Sequence, residues 1–177
     1  MGVATDGVTF FVGSLFFTSA AFLLFLSVAN ASRIDRWAAL VQLVGTVLFN
    51  ISTFDAMREH LSASQDDRLV WTPDALGSIC FLVASWLAWT EAAHGFWSWR
   101  PRSLSWTIAA LNLAGSIAFG VSAVASHVVP ASDQPRNVTL MNLGTFVGAL
   151  CFLVGAVLLL PERTRGDTPT MPQPGAG

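Results

Sequence analysis

Lysine and tyrosine are absent from this 177-residue chain, and charged residues of any kind make up only 11% of it. A soluble domain carries about 25% charged residues, so a water-facing surface cannot be assembled here. A formal charge of −2 argues neither for nucleic acid nor for a strongly acidic partner. Cysteine is nearly absent. Cys80 and Cys151 both lie in apolar stretches, and on their helices they differ in depth by about seven residues, roughly 10 Å. A disulfide needs Cα atoms within about 7 Å, so the two read as small buried hydrophobes with no redox or metal framework. The chain implies no cofactor.

What is abundant is apolar sequence, 53% of residues with a mean hydropathy of +0.58. It falls in five stretches, 8–29, 37–54, 76–93, 104–126 and 138–160, close to the roughly 20 residues that cross a hydrocarbon core. Pro73, Pro101, Pro130, Pro135 and Pro161 all lie outside them, where helix stops are expected. Ala29-Asn-Ala31 resembles a signal-peptidase site, but no positive segment precedes the first stretch, which reads as a retained span. The expectation is an all-α polytopic membrane protein, a bundle of five transmembrane helices over 1–161, followed by a disordered Pro/Gly-rich cytoplasmic tail over 162–177.

Each stretch carries one Gly-x-x-x-Phe signature: Gly13/Phe17, Gly45/Phe49, Gly77/Phe81, Gly115/Phe119 and Gly148/Phe152. Gly7/Phe11 adds a sixth pair, so the spacing recurs far beyond what chance placement of 14 Gly and 13 Phe gives. Positions i, i+4 and i+7 share a helix face, and the residue seven after each signature glycine is also small: Ala20, Ser52, Ala84, Ser122 and Gly155. Each helix thus presents a groove beside a Phe. In lipid, helices associate through close fit at such small residues, so the ten Gly and Phe positions are read as helix-packing sites. Successive glycines are 32, 32, 38 and 33 residues apart. This suggests a duplicated hairpin, helices one and two resembling three and four, with the fifth as a closing helix.

Arginine counts in short loops set orientation. With the N-terminus outside, the inner segments hold Arg33, Arg36, Arg100, Arg102, Arg163 and Arg165, and the outer ones Arg58, Arg68 and Arg136. The C-terminus is then inside, and Trp37, Trp89, Trp97, Trp99 and Trp106 cluster at the inner interface. Trp97-Ser-Trp-Arg-Pro-Arg102 reads as a headgroup anchor. The recurring Gly-Ser/Thr-x-x-Phe, with Asn112-Leu-Ala-Gly-Ser-Ile-Ala-Phe119 and Asn142-Leu-Gly-Thr-Phe146, resembles YrhK-like domain proteins, small bacterial integral membrane proteins. The arginine-only, alanine-rich composition looks actinobacterial. The resemblance implies a multi-pass protein of the bacterial plasma membrane and carries over no catalytic residues.

Polar groups at membrane depth are the first place to seek function. Gln42, Asp74 and Asn112 each sit three residues before a signature glycine, and Asn50 and Asn142 lie elsewhere on their helices. Gln42, Asn50, Asn112 and Asn142 make a possible polar path; the plainer reading is interhelical hydrogen bonding. Glu91 and His94, at i and i+3, form a polar pair that would supply two ligands, whereas a catalytic zinc wants three. Residues 55–74 form the longest hydrophilic stretch, read as a solvated connector in which 54–61 extends the second helix by about two turns; its acidic residues are also suited to a divalent cation or a docking partner. No phosphate-binding loop or activated serine is present. The expected role is a non-catalytic structural or accessory membrane subunit, in contact with the bilayer and with itself or a larger membrane complex. The alternatives are a small oligomeric transporter or channel, and an intramembrane enzyme using Glu91 and His94.

Overall fold

The computed structural model describes residues 3–58, 60–93, 103–129, 132 and 134–166, with side chains from residue 7 to 159 of these. The elements are α1 (Val3–Ser27), α2 (Arg33–Asp55), a single turn α3 (Ala63–Asp66), a π-helical turn (Asp67–Trp71), α4 (Thr72–Ala93), α5 (Leu104–Ser126), β1 (Val128–Val129), β2 (Gln134–Pro135) and α6 (Val138–Gly166). Five helices are long and apolar enough to cross a membrane: Gly7–Ser27, Arg33–Asp55, Ala63–Ala93, Leu104–Ser126 and Val138–Leu159. Apart from the two-residue strands β1 and β2 the fold is helical, and its five long apolar helices are those of a multi-pass membrane protein.

Local chemistry sets the helix ends. Ser32 Oγ accepts from Asp35 N at 3.0 Å and starts α2 at Arg33, four residues before the apolar pattern begins. Ser103 caps α5 through Trp106 N. Asn137 Oδ1 accepts from Leu140 N and starts α6. The connector expected over 55–74 is much shorter. Helix α2 ends at Asp55 rather than extending to Leu61, and helical structure resumes at Ala63. His60, between them, takes the left-handed conformation with φ 65°.

Pro73 does not stop the third span; it sits in the first turn of α4, directly after the π turn. A proline ring clashes with the carbonyl four residues back and offers no N–H to it. The wider π turn moves that carbonyl aside. The backbone N–H of Thr72 reaches back to Asp67 O, and Thr72 Oγ1 donates to the same oxygen at 2.7 Å. Pro161 is likewise inside α6, whose backbone stays helical to Gly166, so the helix covers the first residues expected in the tail; 167–177 lie outside the described residues.

Neighbours in sequence pack as antiparallel neighbours in space: α1 on α2, α2 on α4, α4 on α5 and α5 on α6. The core is a single aromatic cluster. Phe17, Phe49, Phe81, Phe119 and Phe152, one from each spanning helix, meet with Phe81, Phe119 and Phe152 buried at its centre. Seven ring pairs lie 5.4–6.4 Å apart, the closest being Phe17–Phe81 and Phe17–Phe152, and the farthest Phe49–Phe81. Such tilted and edge contacts each add about 0.5–1.5 kcal/mol beyond area burial.

Candidate functional site

The glycines on the signature faces are not equivalent. A Cβ placed on Gly45 would meet Cys80 Cβ and the Phe81 ring at 2.9 Å, and one on Gly77 would meet Gly45 O at 3.0 Å. On the other side of the bundle Gly115 faces Cys151 Cβ at 3.0 Å and Phe152 at 3.1 Å, and Gly148 faces Gly115 O at 3.1 Å. The α2/α4 and α5/α6 hairpins therefore repeat one contact set. The repeat pairs the second helix with the third and the fourth with the fifth. The odd helix is α1, not the last one, because its central glycine has no partner: a Cβ on Gly13 would meet nothing within 4 Å among the described residues.

Helix α1 attaches to α2 through a different face. Gly7 lies against Met57, Phe11 against the Phe54 ring, Ser14 Oγ 2.9 Å from Thr53 Oγ1, and Thr18 Oγ1 accepts from Asn50 Nδ2 at 2.9 Å. This leaves Gly13, Ala20 and Leu24 facing a cavity of about 510 Å³ between α1 and α6, floored by Gln42 and Phe49 of α2 and Asn112 and Phe119 of α5. Thr145, Ala149, Leu153, Ala156 and Leu159 form its α6 wall. The two walls meet where Phe17 and Phe152 make an edge contact with ring centres 5.4 Å apart. Along α1 the cavity runs from Thr9 to Leu24, about 22 Å at 1.5 Å per residue.

Of the four amides proposed to share a path, the structure brings Gln42 and Asn112 to one cavity and not the other two. Neither has a side-chain hydrogen-bond partner among the described residues, and Gly155 gives Asn112 room, since a Cβ there would lie 2.8 Å from Asn112 Oδ1. Asn50 is turned to Thr18, with its Oδ1 buried and unpartnered. Asn142 is exposed on α6. Glu91 is half-buried in the last turn of α4, while His94 and the 97–102 anchor lie outside the described residues. Among the described residues no three His, Cys, Asp or Glu side chains gather as metal ligands.

The hydrophilic stretch is drawn into separate contacts. Asp55 Oδ1 lies 2.8 Å from Arg58 Nε, an ion pair rather than an aligned hydrogen bond, and Asp67 Oδ1 lies 3.7 Å from His127 Nε2. The rings of Trp71 and His127 meet edge-on at 4.8 Å, and Trp71 Nε1 donates to Ala123 O at 2.7 Å. Sequence reasoning missed the polar seam between α4 and α5. Ser116 Oγ, fully buried, lies 2.7 Å from Ser85 Oγ, 3.0 Å from Phe81 O and 2.9 Å from Asn112 O. Its signal was the residue after four of the five signature glycines, a hydroxyl in Ser14, Thr46, Ser78 and Ser116, all of them buried. The sequence matches no protein-family model, no curated protein and no solved structure, so the YrhK-like resemblance rests on its short motifs alone.

Proposed function

We propose that the protein is a non-catalytic accessory subunit of a bacterial plasma-membrane assembly, and that the α1–α6 seam is where it receives its partner. The observation that carries this reading is the vacant Gly13. At Gly45, Gly115 and Gly148 the space beside the glycine is taken by an aromatic ring of a neighbouring helix, and at Gly77 by helix backbone. Gly13 offers the same socket, and nothing among the described residues fills it. The partner is a transmembrane helix, from a second copy or another protein, that sets a large apolar side chain against Gly13. Small-residue sockets of this kind drive association in lipid, where apolar burial itself does not. The orientation with the N-terminus outside and the C-terminus inside belongs to the same proposal.

Gly13→Leu tests it by filling the socket from within. Native mass spectrometry of the protein extracted from its host in mild detergent is expected to show the assembly for the unaltered chain. The Gly13→Leu protein should appear alone, with an unchanged melting temperature. Assembly that survives this substitution would sink the reading. A second reading, a small transporter, is favoured by the two unpartnered amides of Gln42 and Asn112 in one cavity. It requires Asn112→Ala to abolish flux into liposomes while any assembly stays intact.

A further inference from the structure

A second groove lies on the opposite side of the aromatic cluster, between α4 and α5, and its chemistry differs from that of the α1–α6 seam. It encloses about 680 Å³, with walls from Ile79, Leu82, Ile117 and Val124, and with Arg136 and Asn137 at one end. From Trp71, beside that polar end, to Leu82 is 11 residues of helix, about 16 Å of depth. That is close to half of the roughly 30 Å hydrocarbon core, the thickness of one leaflet.

The polar end is held in place by the backbone. Arg136 N donates to His127 O and Asn137 N donates to Ala125 O, both at 3.0 Å, which ties this segment across the end of α5. Asn137 Oδ1 is used in capping α6, so its Nδ2 is left to donate outward. Arg136 is exposed and has no acidic partner among the described residues. A guanidinium presents N–H groups in a fixed fork that matches a phosphate. Trp71 Nε1 is already bonded to Ala123 O, so the indole offers the groove only its apolar surface. Midway along, Gly120 leaves the channel open: a Cβ there would meet only Leu82 Cδ1, at 3.5 Å.

We infer that this groove holds one anionic phospholipid, its phosphate on Arg136 and Asn137 and one acyl chain laid past Gly120 toward Leu82 and Ile117. A partner helix does not fit the same facts. It would cross the whole bilayer, whereas this groove ends at mid-depth, and an unpaired cation at its mouth would serve it no purpose.

The test is native mass spectrometry of the purified full chain, delipidated and titrated with phosphatidylglycerol or phosphatidylcholine of matched chains. One phosphatidylglycerol per chain should bind, about tenfold tighter than phosphatidylcholine. Arg136→Gln should erase that preference, while Arg68→Gln, an exposed arginine at the same end of the bundle, should keep it. Gly120→Leu should weaken both lipids alike; if that protein does not fold, Gly120→Ala, which makes ordinary contact with Leu82, should weaken both in the same direction. Equal binding of the two lipids, or an unchanged preference in Arg136→Gln, overturns the proposal. Displacement of the lipid by millimolar inorganic phosphate would also overturn it, because the site would then be one for the anion and not for the chain.

Discussion

A methyl group has opposite effects at two glycines that the sequence motif makes look alike. At Gly45 it would press on Cys80 Cβ and Phe81 at 2.9 Å, and at Gly13 it meets nothing. Alanine gains up to about 1 kcal/mol over glycine in a helix interior, and overpacking a tight contact costs about 1–3 kcal/mol. Gly45→Ala and Gly115→Ala should therefore cost a net of up to about 2 kcal/mol of stability in detergent, read as a fall in melting temperature. Gly13→Ala should leave it unchanged or raise it. A fall for Gly13→Ala equal to that for Gly45→Ala would mean that the socket is filled in solution. Gly155→Ala is a third case, since its close neighbour is the end of the Asn112 side chain, which can swing away; a small effect on melting is expected there. The ten signature positions can be picked out of the sequence because periodicity and residue size are properties of a string, but at Gly13 no neighbour among the described residues takes the packing place expected of it. Which glycine faces which was not, because all five helices carry the same motif and only packing distinguishes a filled socket from an empty one.

At the scale of the element, α1 stands apart. The α4/α5 interface has the Ser85–Ser116 hydroxyl network, and α2/α4 and α5/α6 have facing glycines, whereas α1 holds to α2 through Gly7, Phe11 and two side-chain hydrogen bonds. Interhelical hydrogen bonds are worth about 0.6 kcal/mol on average in membranes. Combining Ser14→Ala with Asn50→Ala should raise hydrogen exchange across α1 by several fold and leave α4 to α6 as they are; a uniform rise over all five helices would show that α1 is no separate unit. The Gly7/Phe11 pair was visible in the sequence as a sixth signature, and with hindsight two signatures on one helix announce two packing faces. The π turn at Asp67–Trp71 had no such signal. Pro73 read as a boundary, and the remedy for its missing N–H is a backbone geometry that no residue type specifies. The same misreading lengthened the connector to 55–74, when polar residues such as Asp66, Asp67 and Arg68 are in fact the first turns of the third span.

For the whole molecule, the arginine-based orientation makes a plain prediction. With Cys80 and Cys151 half-buried midway along α4 and α6, Ser62→Cys and Ser132→Cys should react with a membrane-impermeant maleimide added outside intact cells, and Asn30→Cys only after lysis. Reversed labelling would invert the topology without touching the fold. The fold itself contains a symmetry that the chain does not complete. The α2/α4 and α5/α6 hairpins run in the same sense through the bundle, as repeats related by an axis along the membrane normal do, and their facing glycines repeat contact for contact. Two such hairpins alone would close into a four-helix ring, with α6 against α2 as α5 lies against α4. They do not close, because α6 fails to pack along α2, and α1 stands on that side with the cavity behind it. The first helix is thus a wedge driven into a two-fold ring, and the cavity is the misfit between four helices that match and a fifth that does not. Without this one helix the three buried rings Phe81, Phe119 and Phe152 would still meet, but Phe17 would leave the cluster and the bundle would have no inside.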